Sequence, residues 1–485
     1  MFIVKGIFAL SFPQWVGLLC SLWILFHAPD AHTKYLDRLH ILDLLRSSQF
    51  EKLELTMAQQ ERWYQQGKTP ESHVEAAYLA FANSNPELEN RFNKWVDSYP
   101  SRGRAHLARG IYYRNLGWIT RGYRYISKTR QERIAGMKYY FEKARKDLIE
   151  AIRIKPNSAI AYSLLINIAM VRGDRDVIEQ YMGQGLRENP RSFAIRWKYL
   201  STLLPLWSGL SNEESLKAIQ QFLKVSMDQK YPGLSPLQGF PAYVRAEILS
   251  RKKQKEQAIP YYEQSLSHGD YYWYSYEQAS NFYYMGKYPE AFQAYTHALN
   301  NRPQVADIHK NRAKTLVKLG KKKEAMEEFH TALLLDSHDP DLLTELSYLL
   351  VKEGRHKEAI DMLERALILG PYDEYVVDKL GRVYLYELEQ PAEGLDFLKR
   401  ATELDPKRKK YWYNYGLALY QLDDCQAVPA LHQYQGRCDA GGKCSKKNRE
   451  WSKEAIKFLT WQKGCWKINP ASSTLKEVIR AMFPF

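Results

Sequence analysis

The sequence predicts an all-α chain: a right-handed solenoid of helical hairpins with an N-terminal membrane helix. Three observations carry that prediction. MGKYPEAF at 285–292 returns as LGKKKEAM at 319–326 and EGRHKEAI at 353–360, so Gly286, Gly320 and Gly354 stand 34 residues apart. Apolar residues between these marks recur at helical rather than alternating spacing. From Phe2 to Phe26 the chain carries a single charge, Lys5.

That first stretch is about as long as the ~20 residues a helix needs to cross a bilayer, and residues 1–28 read as a signal anchor or a signal peptide. Ala28 and Ala31, the nearest small residues, lie among Phe, His, Pro and Asp. This is a poor cleavage site and favours the uncleaved anchor. Leu19 before Cys20 argues against lipoprotein processing. With the free amino terminus and Lys5 on the cytoplasmic side, the remainder faces an extracytoplasmic, periplasm-like space.

Residues 29–230 read as a helical domain of degenerate, interrupted repeats. Tyr162, Leu165, Gly173 and Pro190 keep the period over 159–192, while GWITRGYRYISKTR (117–130) and LLPLWSGLSNEES (203–215) interrupt it. Residues 231–470 hold the regular array. In units starting at 272, 306 and 340, small residues occupy the eighth (Ala279, Ala313, Ser347), twentieth (Ala291, Ala325, Ala359) and twenty-seventh (Ala298, Ala332, Ala366) positions. Two helices cross closely only where side chains are small. Gly at the fifteenth position ends the first helix, because it takes left-handed angles without a Cβ clash. Pro303 and Pro371 end second helices. The next unit starts near 374 with one extra residue at about Gln390. The last places Trp412, Asn414, Gly416 and Leu419 in its first helix and Trp451, Ala455 and Leu459 in its second, with a Cys-bearing insertion at 423–449 between them. Residues 471–485, with Leu475, Val478, Ile479 and Met482 on one face, read as a capping helix.

These offsets resemble the tetratricopeptide repeat, a 34-residue helix–turn–helix. The first half, with LLRSSQFEKLE at 44–54, RGYRYIS at 121–127 and PLWSGLSNEE at 205–214, resembles a bacterial family of helical domains of unknown function. That likeness covers about residues 40–230 and implies no activity.

Cys425, Cys438, Cys444 and Cys465 form an even cluster, which points to two disulfides in an oxidising compartment; three pairings are open. Structural zinc is the weaker alternative, since no C-x2-C knuckle is present. No phosphate loop, nucleophile elbow or H-E-x-x-H motif occurs, so the chain reads as a non-enzyme without cofactor or metal. The net charge of +15 calls for an anionic partner or surface, and residues 101–153 hold 14 Lys+Arg against 4 Asp+Glu. That segment suits anionic lipid or glycan; export argues against nucleic acid.

The resemblance implies a concave groove lined by first helices. Carried onto this sequence, it gives Tyr276, Lys310, Asn311, Lys314, Tyr348, Lys379, Arg382, Tyr413 and Asn414 as partner-binding candidates. Ammonium and amide groups among Tyr faces suit a protein or peptide ligand of acidic character. The expected function is a membrane-anchored, non-catalytic scaffold recruiting a partner outside the cytosol. The alternative is an enzyme or enzyme subunit of envelope glycan metabolism with a Tyr-rich sugar groove.

Overall fold

The computed structural model describes residues 37–122, 129–227, 231–440, 444–463 and 465. The expected anchor (1–28) and capping helix (471–485) lie outside the described residues. Among the described residues there is no strand, and no helix is long and apolar enough to cross a membrane.

Four helices, α1 (Arg38–Arg46), α2 (Phe50–Gln65), α3 (Glu71–Tyr78) and α4 (Leu88–Ser98), form an N-terminal layer. Three irregular hairpins follow: α5 (Gly103–Arg121) with α6 (Gln131–Ile154), α7 (Ala159–Arg172) with α8 (Arg175–Glu188), and α9 (Phe193–Thr202) with α11 (Asn212–Ser226), α10 (Pro205–Ser208) lying between the last two. The regular array begins with α12 (Phe240–Arg251) and α13 (Lys255–Leu266), α14 (Tyr272–Met285) and α15 (Tyr288–Asn301), and α16 (Ala306–Lys318) and α17 (Lys322–Leu335). It continues with α18 (Pro340–Lys352) and α19 (His356–Leu369), α20 (Glu374–Arg382) and α21 (Pro391–Leu404), and α22 (Lys409–Gln421) and α23 (Ala427–Asp439), before a final α24 (Lys446–Trp461).

The alanines that the spacing singled out are the helix–helix contacts: Ala279, Ala291, Ala298, Ala313, Ala325 and Ala332 are all fully buried. The left-handed residue after each first helix is equally regular. Gly173, Gly286, Gly320 and Gly354 take it, and so do Lys253, Glu389 and Asp423, all at positive φ. At Gly286, Gly320 and Gly354 nothing lies within 4 Å of an added Cβ. Backbone angle, not space, selects glycine there.

Two details depart from the spacing. The extra residue of the unit at 374 does not sit at Gln390. It is absorbed as a π-helical turn, Val383–Glu387, that extends α20, with the Leu388 N–H donating to the Val383 carbonyl at 3.1 Å. Such a bulge lets a helix accept one residue without breaking. The second departure is larger. The segment read as an insertion supplies α23, and α23, not the helix at Trp451, pairs with α22. A Cβ on Gly416 would come 2.6 Å from Leu431 Cδ2, just as one on Gly381 would come 2.7 Å from Leu398 Cγ. Leu431 is thus the equivalent of Leu398, and α24 is an added helix beyond the last hairpin. Trp451 and Ala455 mislead because their spacing also fits a second helix.

The cysteines pair as Cys425–Cys465 and Cys438–Cys444, with Cα atoms 5.2 and 5.7 Å apart. One bridge joins the start of α23 to the end of α24, and the other joins the end of α23 to the start of α24. The helix pair is stapled at both ends. The array also meets the N-terminal part of the chain: residues 227 and 274 positions apart in sequence hydrogen-bond to each other.

Candidate functional site

The candidate residues lie on or just beyond first helices and fall into two stretches. In the first, α14 to α18, the cations are already engaged. Lys310 is 3 % exposed, and its Nζ lies 2.7 Å from Asp307, 2.9 Å from Asp339 and 3.8 Å from Asp341. Lys314 pairs with Glu345 at 2.9 Å. Asn311 Nδ2 donates to the Tyr276 hydroxyl at 2.9 Å. Lys310 holds Asp307 ionised, its carboxyl lowered below the usual range. The sequence-predicted cluster Tyr276, Lys310, Asn311 and Lys314 is therefore brought together, but as a polar seam between successive repeats. Its cations hold the chain's own carboxylates.

The second stretch, α18 to α22, is different. Tyr348, Tyr375 and Tyr386 are 42 %, 51 % and 42 % exposed. Lys379 lies beneath two of these rings, 5.4 Å from the Tyr348 centroid and 5.8 Å from that of Tyr375, and donates to the Thr344 carbonyl at 2.7 Å. Burial pushes its ammonium down to about 8, against the pull of Glu345 and with Arg382 and Lys410 adding to the shift. Lys352 also lies over the Tyr348 ring, 4.6 Å from its centroid.

The floor of this stretch is Asp378, whose side chain is fully buried, with Arg382 at 3.8 Å and Lys410 at 3.7 Å. Asn414 Nδ2 donates to Asp378 Oδ1 at 2.7 Å, and Tyr386 donates to Asn414 Oδ1 at 2.9 Å. Asp378 Oδ2 and Arg382 Nε are buried without a hydrogen-bond partner. Burial raises the Asp378 carboxyl, against the Asn414 hydrogen bond. Arg382 and Lys410 thus share one carboxylate, Asp378, while Lys379, close enough for both to depress its ammonium, donates to the Thr344 carbonyl beneath the part-exposed Tyr348 and Tyr375 rings. That arrangement leaves positive charge in a partly desolvated groove, where an added anion gains most.

Of the remaining candidates, Asn414 belongs to this floor, whereas Tyr413 packs against Tyr434 and Trp451 at 5.2 and 5.5 Å. It supports α23 and α24 instead of facing the groove floor. Asp378 and Lys410, at the fifth and second positions of their units, also belong to this stretch and are absent from the sequence-predicted candidates, although both lie on first helices. The disulfides engage all four candidate cysteines, and among the described residues no group of His, Cys, Asp or Glu could hold a metal.

Among the described residues of the basic segment 101–153, several cations are already paired. Arg104 pairs with Glu54 and Glu61, Arg109 with Asp147, Lys143 with Glu89 and Arg133 with Asp373. Four acids from other segments, Glu54, Glu61, Glu89 and Asp373, answer part of the local excess, which counting charges in one window does not show.

Family models match this chain in two places. A "Domain of unknown function (DUF4034)" covers residues 37–180, ending well short of residue 230. Tetratricopeptide repeats match at 242–267, 276–333 and 310–374. No protein of curated function matches the sequence. Among solved structures, the C-terminal part of a TPR repeat-containing protein from Cytophaga hutchinsonii is 18% identical, covering 48% of this chain and 98% of that one, with a TM-score of 0.38. A tetratricopeptide repeat protein from Parabacteroides merdae is 16% identical, covering 54% and 98%, with a TM-score of 0.37. PilW, described as a widely conserved type IV pilus biogenesis factor, is 18% identical, covering 44% and 96%, with a TM-score of 0.39. The chain carries tetratricopeptide repeats behind an N-terminal domain of unknown function.

Proposed function

We propose that this chain is a non-catalytic protein-interaction scaffold, and that the groove between α18 and α22 holds an acidic segment of its partner. Tetratricopeptide arrays present a long concave surface from units that contact only their neighbours, which suits recruitment of an extended ligand. The observation that carries the reading is that Lys379, Arg382 and Lys410 lie close enough for the latter two to depress the Lys379 ammonium, while Arg382 and Lys410 share the buried carboxylate of Asp378. Carboxylates of the partner complete the charge balance, and the Tyr348, Tyr375 and Tyr386 rings cover its apolar atoms. In this reading the first 28 residues anchor the chain and the repeats face the oxidising side, in keeping with the paired cysteines.

The test uses a fluorescein-labelled peptide of alternating Glu and Leu, followed by anisotropy. The expected result is salt-sensitive binding that falls at least about tenfold in the Arg382→Gln/Lys410→Gln variant. Equal binding by the variant, or preference for a neutral oligosaccharide over the peptide, would overturn it. Thiol labelling of intact and permeabilised cells, with and without reductant, checks the compartment: reactivity before reduction in permeabilised cells rules out the extracytoplasmic placement.

A further inference from the structure

The N-terminal layer and the first hairpin meet the array at the turns that join successive repeats. At the α15–α16 turn, the Arg38 backbone N–H donates to Gln304 Oε1 at 2.7 Å, the Arg38 guanidinium donates to the Gln304 carbonyl, and Glu75 pairs with Arg302. At the α17–α18 turn, Asn83 Nδ2 donates to the Leu335 carbonyl at 3.0 Å. The Ser84 N–H and hydroxyl both donate to Asp336 Oδ1, the former at 3.0 Å. At the α19–α20 turn, Arg133 pairs with Asp373 at 3.0 Å. Arg130 donates to the Leu404 carbonyl, beside the α21–α22 turn, at 2.9 Å. Four consecutive turns between repeats are thus each held.

These contacts are mostly polar. Among the described residues, Leu369 is the one buried apolar side chain of the regular array that joins the core around Ile41, Phe81, Phe92, Trp95 and Tyr112. Its other buried members all lie between Ile41 and Ile168. Repeats in a solenoid touch only their neighbours, so their pitch is soft, whereas polar interfaces between domains part more readily than hydrophobic cores. We propose that the N-terminal layer and the first hairpin together are a clasp: they fix the pitch of the repeats joined at these four turns, and they part from the array as one unit while its hairpins stay folded. The inference rests on this docking and not on the groove's ligand.

The test needs no ligand. In the full-length, disulfide-intact protein, Asp336→Lys removes the acceptor for Ser84 and sets a cation near Arg38. Hydrogen exchange of the Arg38 amide, which is bonded one repeat away, should accelerate at least about tenfold, with an increased radius of gyration in small-angle scattering and unchanged protection inside α14 to α19. Arg133→Glu should produce the same changes, and Arg133→Glu/Asp373→Arg should reverse them. Acceleration confined to the mutated turn, or spread evenly through the hairpins, would overturn the proposal.

Discussion

The two stretches are built from first helices of the same repeat, with Lys310 at the fifth position of its unit and Lys379 at the sixth of its own, and they differ in what these lysines do. Lys310 and Lys379 lie two units apart, and both are largely withdrawn from water. Lys310 faces three carboxylates; Lys379 faces a carbonyl and two aromatic rings, with further cations nearby. Groove chemistry in this chain is thus set by the loops and neighbouring helices that supply counter-charges. Asp339, which caps α18 and accepts from the Asp341 N–H, is what converts Lys310 into a structural residue. The α20 N-cap, Asp373, is turned instead toward Arg133 of the first hairpin, and the second stretch keeps its charge.

The sharpest way to break the comparison is to remove each cation in turn. Lys310→Gln leaves Asp339, itself buried, without its ammonium partner. Loss of one member of a buried ion pair costs about 3–5 kcal/mol, so urea denaturation should show a large loss of stability with peptide binding at native conditions retained. Lys379→Gln should do the opposite, weakening the acidic peptide at least about fivefold while shifting stability by less than about 1 kcal/mol. If both variants lose stability alike, the second stretch is a structural seam like the first.

A smaller effect concerns the wall behind α22, which supplies Lys410 and Asn414. The Cys425–Cys465 bridge spans 40 residues and Cys438–Cys444 only 6. Chain-entropy scaling assigns the longer bridge about 4 kcal/mol and the shorter about 2. Cys425→Ser/Cys465→Ser should therefore free α24 further than Cys438→Ser/Cys444→Ser, read as greater solvent exposure of Trp451 by fluorescence. Equal responses would show that helix packing, and not loop closure, holds the cap.

Much of the array was legible because its marks are local. Ala at 279, 291 and 298 states where helices cross, and Gly at 286, 320 and 354 states where they stop. The hairpins that use Lys253, Glu389 or Asp423 at the left-handed position carry no such mark, and the last of them was misread. Spacing also shows which face a side chain occupies but not which carboxylate reaches it, so the engagement of Lys310 was invisible. The clasp was hidden for a further reason: Leu335 and Leu404 take part through backbone carbonyls, which every residue possesses and no sequence pattern reports.

The smallest expected effect is a pH dependence that separates the two stretches. The Lys379 ammonium is lowered from its ordinary 10.5 to about 8 by burial. A depressed lysine means that the folded chain holds fewer protons than the unfolded one between about pH 8 and 10.5, so this group's contribution to stability rises with pH across that window. Binding of an acidic peptide moves the other way, because the cation it needs is lost as pH passes 8. Asp336 in the clasp has the reverse linkage. Burial, with Asp339 adding, raises its carboxyl to about 7, so its contribution is present below its unfolded value near 3.8 and is lost as pH rises through 7. Between pH 7 and 9, peptide affinity should fall in the parent chain and stay level in Lys379→Gln. Between pH 5 and 7.5, the decline in Arg38 amide protection should be shallower in Asp336→Asn than in the parent. A binding decline that persists in Lys379→Gln would assign the titration to another group and remove Lys379 from the site.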